Sequence, residues 1–258
     1  MLRACFPDGL DAPAVVRNLL LAAALCWLLA LLAQWPAMPL RIHGLVWPAC
    51  SFTLGALWMI YYSARGKRRL ARRWLDRLDW HGEERVLDVG CGQGLLSREA
   101  ARRVPRGRVT GVDIWSAEDL SGNTPERLRL RTEVEGWDEL MDIHTADMRH
   151  LPFAEGTFDR IVSAAAIHNL PRTEDRRQAL DEIVRVLAAD GQIVIHDIRH
   201  LGFYARQLRR HGLMTRPQRT AQDLIWTVIS LGLLRPGTLV AWRGSRPQSS
   251  RPGASTSR

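Results

Sequence analysis

The stretch Val86-Leu87-Asp88-Val89-Gly90-Cys91-Gly92-Gln93-Gly94 decides the fold class of this 258-residue chain. A β-rich apolar run leads into a loop with glycine at alternating positions, and a helical pattern starts at Leu95. Glycine permits a sharp turn and lets a ligand lie against bare main chain. The helix start adds unpaired N–H groups and a positive dipole end. The stretch therefore predicts a ligand-binding loop at the start of an α/β domain.

Two classes of ligand use a loop of this kind. Dinucleotide enzymes carry GxGxxG with the pyrophosphate on the helix N-terminus, but the spacing here is GxGxG and the third glycine of that motif is missing. Asp88 stands two residues before Gly90. Its carboxylate would repel a pyrophosphate and suits a cationic group, such as the amino end of a methionine moiety. The loop therefore favours S-adenosylmethionine over NAD.

Two further acids follow at the ends of the next predicted strands. Asp113 closes the second strand, where an acid accepts hydrogen bonds from ribose hydroxyls. Asp147 closes the third, where a carboxylate can accept from the adenine amino group. The carboxyl ends of parallel strands meet at one edge of a sheet, which is where such sheets bind ligands. The predicted cofactor site combines the glycine loop, these acids and the residues that follow them: Asp88, Gly90, Cys91, Gly92, Gly94, Asp113, Ile114, Asp147 and Met148.

Strands and helices alternate through the second half of the chain. The predicted strands lie at 85–89, 108–113, 142–146, 158–163 and 192–196. This alternation predicts a parallel sheet covered by helices on both faces. Two late β-rich runs, 224–229 and 238–242, flank the turn signal Arg235-Pro236-Gly237. They predict an antiparallel hairpin at one edge of the sheet.

With these motifs in place, residues 80–200 resemble the class I S-adenosylmethionine-dependent methyltransferases of the small-molecule type, a family that includes quinone biosynthesis methyltransferases. The resemblance rests on the glycine loop with Asp88, on Asp113, on Asp147 before Leu151-Pro152-Phe153, and on Phe158-Asp159. Residues 187–191 resemble the turn before the fifth strand, and residues 200–243 match more loosely. The family implies a Rossmann-like seven-stranded methyltransferase sheet of order 3-2-1-4-5-7-6, with the last strand antiparallel.

The chemistry of methyl transfer is an in-line displacement, in which the protein aligns the nucleophile and can remove its proton. His168 follows the fourth strand and is the predicted base, and Asn169 is expected to orient the acceptor. His196, Asp197 and Arg199 follow the fifth strand and are expected to face the same crevice.

Cysteine and metal chemistry are not expected. Cys91 lies inside the glycine loop and is predicted to pack rather than to react. The four cysteines contain no CxxC pair, and no His, Cys or carboxylate cluster has metal-ligand spacing, so no metal site is predicted.

The N-terminal part of the chain contains two uncharged runs, at 18–40 and 42–64 with His43 neutral. Each has 23 residues, against about 20 needed to cross a bilayer. Six cations follow within 65–73, whereas only Arg41 lies between the runs. The positive-inside rule places that cluster on the cytoplasmic side of the plasma (inner) membrane. The predicted organisation is a two-helix transmembrane hairpin at 1–65, a methyltransferase domain at 66–243 facing the cytoplasm, and a disordered tail at 244–258.

The net charge of +9 does not indicate a nucleic-acid partner. Residues 74–243 carry 24 basic and 25 acidic residues, so the basic excess lies beside the apolar runs and in the tail. Nucleic acid is not expected as a partner. The sequence does not indicate an oligomeric state.

The sequence predicts an enzyme that transfers a methyl group from S-adenosylmethionine to a small acceptor at the cytoplasmic membrane face. The acceptor is either lipophilic or soluble. A lipophilic or lipid-like acceptor would be a quinone precursor, a phospholipid head or an isoprenoid. With a soluble acceptor, the hairpin would serve only as an anchor. One alternative is a non-catalytic membrane adaptor that keeps the fold. Another is a nucleotide-dependent oxidoreductase, which the missing third glycine disfavours.

Overall fold

The computed structural model describes residues 10, 12–34, 44–116, 118–230 and 232–243. The predicted tail and the segment with Arg41 and His43 lie outside these residues. The chain forms two compact units. The N-terminal unit comprises residues up to 69 together with 116–123, and the sheet unit comprises 70–115 and the residues from 124 onward.

The N-terminal unit contains two apolar helices where the two uncharged runs were predicted to form helices. They are α1 at Pro13–Leu32 and α2 at Val46–Tyr61. By length and composition, α1 is the one helix among the described residues that could cross a membrane. The 16 residues of α2 give a length of about 24 Å, against about 30 Å of hydrocarbon. A π-helical turn, Tyr62–Gly66, follows α2.

The sheet unit alternates strands and helices after an amphipathic helix, α3, which starts in the cationic segment. The helices are α3 at Lys67–Leu75, α4 at Leu95–Ala101, α5 at Pro125–Glu135, α6 at Thr173–Val186, α7 at Leu201–Arg210 and α8 at Ala221–Ile229. The strands are β1 at Arg85–Val89, β2 at Arg108–Asp113, β3 at Met141–Thr145, β4 at Phe158–Ala164, β5 at Leu187–Asp197, β6 at Met214–Gln218 and β7 at Gly237–Trp242. Short 3₁₀ turns lie at Asp138–Leu140 and Ile167–Asn169.

The seven strands form one sheet in the order β3-β2-β1-β4-β5-β7-β6. The first five strands pair in parallel, and β7 is antiparallel to both β5 and β6. The predicted order is confirmed. The order of the strands reverses at β1, which has β2 on one side and β4 on the other. The loop after β1 therefore lies at the switch point, which is the usual ligand position in open α/β sheets.

Apolar residues cover both faces of the sheet. On one face the core includes Leu180 and Ile183 of α6 and Tyr204 and Leu208 of α7. The opposite face is covered by residues of α3, α4 and α5: Ala71, Trp74, Leu75, Leu96, Ala100 and Leu128. The sheet is therefore the middle of three layers. At the edge formed by the carboxyl ends of its parallel strands, the chain continues in loops.

The prediction of a strand at 224–229 is wrong, because these residues belong to α8. The sixth strand is Met214–Gln218 instead, and it lies at the sheet edge, where Pro217 needs no ladder hydrogen bond. A capping box explains the helix. The Asp223 backbone N–H donates to Thr220 Oγ1 at 3.2 Å, and Asp223 Oδ2 accepts from the Thr220 backbone N–H at 2.7 Å.

Removing the capping hydroxyl should destabilise the sheet unit. We expect Thr220→Ala to cost about 1 kcal/mol, because both the N–H of Asp223 and its carboxylate lose a partner. Thermal unfolding followed by circular dichroism in detergent measures the effect. Thr124→Ala is the matched control, since Thr124 caps α5 through a single bond to the Arg127 N–H. A larger loss in the control would contradict the capping-box explanation.

Candidate functional site

The glycine loop leaves β1 with three residues in left-handed backbone. Gly90, Gly92 and Gly94 have φ of 72°, 53° and 74°, a region that costs other residues about 1–2 kcal/mol each. The N–H groups of Gly90 and Cys91 donate to the Val112 carbonyl at 2.8 and 3.1 Å. The loop is therefore fastened to β2, and Gly94 leads directly into α4.

Gly90 is also the position where a side chain has no room. A Cβ built there would lie 2.3 Å from Cβ of Ala166, in the segment after β4. The methyl group of Met148 would lie 3.8 Å away. The loop after β1 thus lies close to the segments that follow β4 and β3, and the approach to Ala166 is possible only with bare main chain at Gly90.

Asp88 is a buried carboxyl group with one free oxygen. It is 1% exposed, and its Oδ2 accepts from the Ser97 hydroxyl at 2.6 Å. Its Oδ1 has no hydrogen-bond partner among the described residues. Burial raises the pKa of Asp88 from 3.8 to about 7, opposed by the Ser97 hydrogen bonds. A cationic group placed beside Oδ1 would relieve this cost.

Asp113 fastens the two loops that follow β1 and β2. Its Oδ2 accepts from the Gly92 N–H at 2.8 Å, and its Oδ1 accepts from the Trp115 N–H at 2.6 Å. The next residue, Ile114, is 61% exposed. A large apolar side chain left open beside a carboxylate suits the flat face of a base together with a hydroxylated sugar.

Asp147 follows β3 and is bound by its own loop. Arg149 donates to both carboxylate oxygens and approaches Oδ2 at 2.6 Å. These bonds lower the pKa of Asp147. The carboxylate therefore stays ionised, and Met148 beside it is partly buried against the core.

His168 and Asp197 meet at the ends of β4 and β5. Nδ1 of His168 lies 2.6 Å from Oδ1 of Asp197, with the two side chains 17% and 1% exposed. The Asp197 carboxylate also accepts from the His168 backbone N–H at 3.1 Å and from the Tyr204 hydroxyl at 3.1 Å. The ring is poorly aligned for a linear hydrogen bond, as is common for catalytic pairs before substrate binds.

The expectation that His196 faces the crevice is wrong, whereas Asp197 does reach the site through His168. His196 is 7% exposed, stacks on Trp74 with ring centroids 3.9 Å apart, and burial lowers its pKa to about 4. Successive strand residues point to opposite faces, so His196 enters one core while Asp197 reaches His168. Arg199 is exposed, and Asn169 is exposed at the end of the 3₁₀ turn.

Cys91 packs in the core, as predicted. It is 5% exposed, and its Sγ lies close to Gly111 of β2, 2.9 Å from where a Cβ there would be. Burial raises its thiol pKa well above the ordinary value, which suppresses the reactive thiolate. Because the Cys91 side chain is buried, only its main chain is available to contact a ligand. Among the described residues no group of three His, Cys, Asp or Glu could hold a metal ion.

Strained backbone is concentrated at this edge of the sheet. Four residues other than glycine have positive φ within the described part of the chain, and three of them follow β2, β4 and β5. They are Trp115, Ala165 and His200, with φ of 63°, 52° and 63°. Strain of this kind gathers at functional sites because the surrounding structure holds it in place. This signal was not available from the sequence.

Comparison with known proteins gives a consistent result. Residues 87–195 match a family model described as "Methyltransferase domain". The chain is 35% identical over 135 residues to methyltransferase GfsG of Streptomyces halstedii, covering 52% of this chain and 45% of that protein. It is 31% identical to the ubiquinone/menaquinone biosynthesis C-methyltransferase UbiE of Geotalea daltonii, covering 51% of each. The chain thus spans about half the length of the curated relatives it matches.

Solved structures agree with the fold. The chain superimposes on geranyl diphosphate C-methyltransferase of Streptomyces coelicolor, solved with S-adenosyl-L-homocysteine, with a TM-score of 0.58 and 17% identity. The match covers 72% of this chain and 79% of that one. At this identity the likeness concerns the fold alone.

Proposed function

We propose that this chain transfers a methyl group from S-adenosylmethionine to a small acceptor, through the domain whose residues 87–195 match the methyltransferase family model. The family match and the named methyltransferase relatives support the predicted domain class, and structural neighbours solved with S-adenosyl-L-homocysteine support the predicted cofactor. The single observation that carries the proposal is the close approach of Gly90 to Ala166 beside the unpaired oxygen of Asp88. It leaves main chain and one buried carboxylate facing a ligand.

The residues at this edge fit the cofactor. Asp88 Oδ1 is free to meet the cationic amino group of the methionine part, and the Gly90 and Gly92 main chain gives close access. We propose that Asp113 accepts from the ribose and that Ile114 packs against the adenine. Asp147 and Met148 are proposed for the far edge of the adenine, the first as acceptor and the second as an apolar contact.

The chain's own part in the chemistry is alignment and proton removal. Bound S-adenosylmethionine supplies an electrophilic methyl group on a sulfonium. The segment that carries Ala166 and His168 follows β4, next to β1 in the sheet, so His168 is proposed as the base that faces the acceptor. Asn169 is exposed at the same turn and is proposed to orient the acceptor.

The raised pKa of Asp88 makes cofactor binding pH-dependent. Its folded pKa of about 7 exceeds the ordinary 3.8, so the carboxyl holds a proton at pH 6 that a cationic ligand must displace. We expect binding of S-adenosylhomocysteine at pH 6 to release about 0.9 of a proton, falling towards zero above pH 8. Calorimetry in buffers of different ionisation enthalpy measures it. Asp88→Asn should abolish the release and Asp190→Asn should retain it, whereas release that persists in Asp88→Asn would contradict the assignment.

We further propose that α1 and α2 form a transmembrane hairpin that holds the domain at the cytoplasmic face of the inner membrane. The two helices pack against each other, and each buries two alanines at seven-residue spacing, Ala23 and Ala30 in α1 and Ala49 and Ala56 in α2. Leucines face outward: Leu21, Leu25, Leu28, Leu31, Leu54 and Leu57 are exposed. Small residues inside and large apolar residues outside are typical of helices packed in lipid.

The short length of α2 does not by itself exclude a crossing. Uncharged sequence continues through Ala64, and the π-helical turn Tyr62–Gly66 extends the helical backbone beyond α2. The domain organisation at 1–65, 66–243 and 244–258 is part of this proposal. Carbonate washing of membranes and a C-terminal green fluorescent protein fusion test it. Release by carbonate, or a non-fluorescent fusion on intact membranes, would contradict it.

A membrane position favours a lipophilic acceptor. The purified full chain in detergent, supplied with methyl-labelled S-adenosylmethionine, can be offered either a bacterial membrane-lipid extract or an aqueous metabolite extract. We expect label in a lipid-extract product. Label in an aqueous product alone would refute the lipophilic acceptor. No label in either, from a chain that binds S-adenosylhomocysteine, would favour the non-catalytic adaptor.

A further inference from the structure

The Asp197 carboxylate accepts three hydrogen bonds at the end of β5 and also contacts the ring of His168. Oδ1 lies 2.6 Å from His168 Nδ1 and accepts from the Ile198 N–H at 2.8 Å. Oδ2 accepts from the His168 backbone N–H and from the Tyr204 hydroxyl, both at 3.1 Å. Its relative exposure is 0%. A buried carboxylate with this many donors is fixed in position.

This contact decides which nitrogen of His168 is basic. A neutral imidazole carries its proton on one nitrogen and a lone pair on the other. Because an ionised carboxylate only accepts, Nδ1 beside Asp197 is the nitrogen that carries the proton. Nε2 is then left with the lone pair. The ring keeps 17% of its surface exposed, so it is reachable from the carboxyl edge of the sheet.

We propose that Asp197 and Tyr204 are positioning residues that hold His168 with Nε2 as the base, and that the methyl acceptor is therefore a group that must lose a proton. This inference rests on the proposed function. The acceptor X–H bond breaks and its proton passes to Nε2. The X electron pair forms the bond to the methyl carbon, and the electrons of the broken carbon–sulfur bond stay on sulfur. Phenolic hydroxyls and acidic carbon centres belong to this class, whereas a tertiary amine does not.

Other charged and titratable groups lie near His168. His200 at the start of α7 is exposed, and its pKa is lowered by burial first and then by the positive charge of Arg176. Arg176 of α6 is buried, with its guanidinium bound to the Leu170 carbonyl and Thr173 Oγ1. Arg199 is exposed to solvent. Burial, with Asp197 nearby, raises the pKa of the Tyr204 hydroxyl, so it stays a proton donor to Asp197.

The chain offers a matched control pair. Nε2 of His211 lies 2.7 Å from Asp181 Oδ1, on an exposed part of α6 and of the turn after α7. That pair is also a histidine beside an aspartate, although it uses Nε2 and is exposed, and it lies outside the proposed site. Asp181→Asn is therefore the control for Asp197→Asn, and Tyr204→Phe is a milder variant in case Asp197→Asn fails to fold.

The first test reads the tautomer directly and needs no acceptor. Nitrogen NMR of the full chain in detergent, labelled at its eight histidines, identifies the His168 ring by its loss in His168→Gln. We expect the proton on Nδ1 in the wild type and a shift towards Nε2 in Asp197→Asn but not in Asp181→Asn. A proton on Nε2 in the wild type would overturn the inference, as would an unchanged ring in folded Asp197→Asn.

The second test reads the rate. With the lipid-extract product of the labelling assay, Asp197→Asn should lower kcat by about 100-fold or more. Tyr204→Phe should lower kcat by less, and affinity for S-adenosylhomocysteine should stay within twofold. Unchanged kcat in Asp197→Asn would overturn the inference. Failure of the wild type to bind S-adenosylhomocysteine would instead refute the proposed function and leave the tautomer result readable.

Discussion

Gly90→Ala should lower affinity for S-adenosylhomocysteine by about 100-fold or more, which corresponds to roughly 2.7 kcal/mol. The added Cβ would lie 2.3 Å from Cβ of Ala166, a separation that forces the loop after β1 away from the end of β4. The residue would also hold a φ of 72°, which costs about 1–2 kcal/mol for alanine. Calorimetric titration measures the affinity, and circular dichroism verifies the fold.

Two companion variants separate the collision from the backbone cost. Gly136 has a φ of 71° with nothing within 4 Å of a built Cβ, so Gly136→Ala should lose stability and keep its affinity. Adding Ala166→Gly to Gly90→Ala removes the methyl group with which the new Cβ collides, and it should recover part of the binding. Wild-type affinity in Gly90→Ala would contradict the account of the loop.

Asp113→Asn is expected to lower the affinity for S-adenosylhomocysteine by about 100-fold, because the substitution weakens two hydrogen bonds that the charged carboxylate accepts. Asparagine keeps one acceptor oxygen and places an NH₂ group against the N–H of either Gly92 or Trp115. The loops after β1 and β2 then lose a common anchor, and the proposed ribose acceptor is weakened. Asp190→Asn, at an exposed position in β5, is the control.

The ribose part of this prediction has its own test. The 2′-deoxy analogue of S-adenosylhomocysteine lacks one of the hydroxyls proposed to donate to Asp113. The wild type should bind this analogue at least tenfold more weakly than the parent compound, which corresponds to a loss of about 1.4 kcal/mol of binding free energy. Asp113→Asn should discriminate much less between the two. Equal discrimination in both proteins would assign Asp113 to loop structure alone.

Much of the sheet is predictable because local signals agree with the final packing. The strands at 85–89 and 108–113 are confirmed with their bounds, since each is an apolar run closed by a glycine loop or an acid. Residues 224–229 were predicted as a strand because of their β-branched composition, but they form a helix. The helix-start signal is the capping sequence Thr220-Ala221-Gln222-Asp223. The true edge strand, with Arg216 and Pro217 among its five residues, has little apolar pattern to detect.

The candidate site is only partly predictable. The glycine loop and Asp113 follow from sequence because strand ends and loop residues are adjacent along the chain. The contact of His168 with Asp197 joins residues 29 positions apart and depends on β4 and β5 being neighbours. Strand alternation does predict that the neighbouring side chains of His196 and Asp197 point to opposite faces of the sheet. The sequence alone could therefore have shown that they do not both face the crevice.

The central claim is that the carboxyl edge of the sheet binds the methyl-donor cofactor and not a dinucleotide. Calorimetric titration of the full chain in detergent with S-adenosylhomocysteine, and separately with NADH, tests it most directly. We predict binding of S-adenosylhomocysteine with a micromolar dissociation constant and no heat with NADH. Binding of NADH by a folded chain that ignores S-adenosylhomocysteine would contradict the claim.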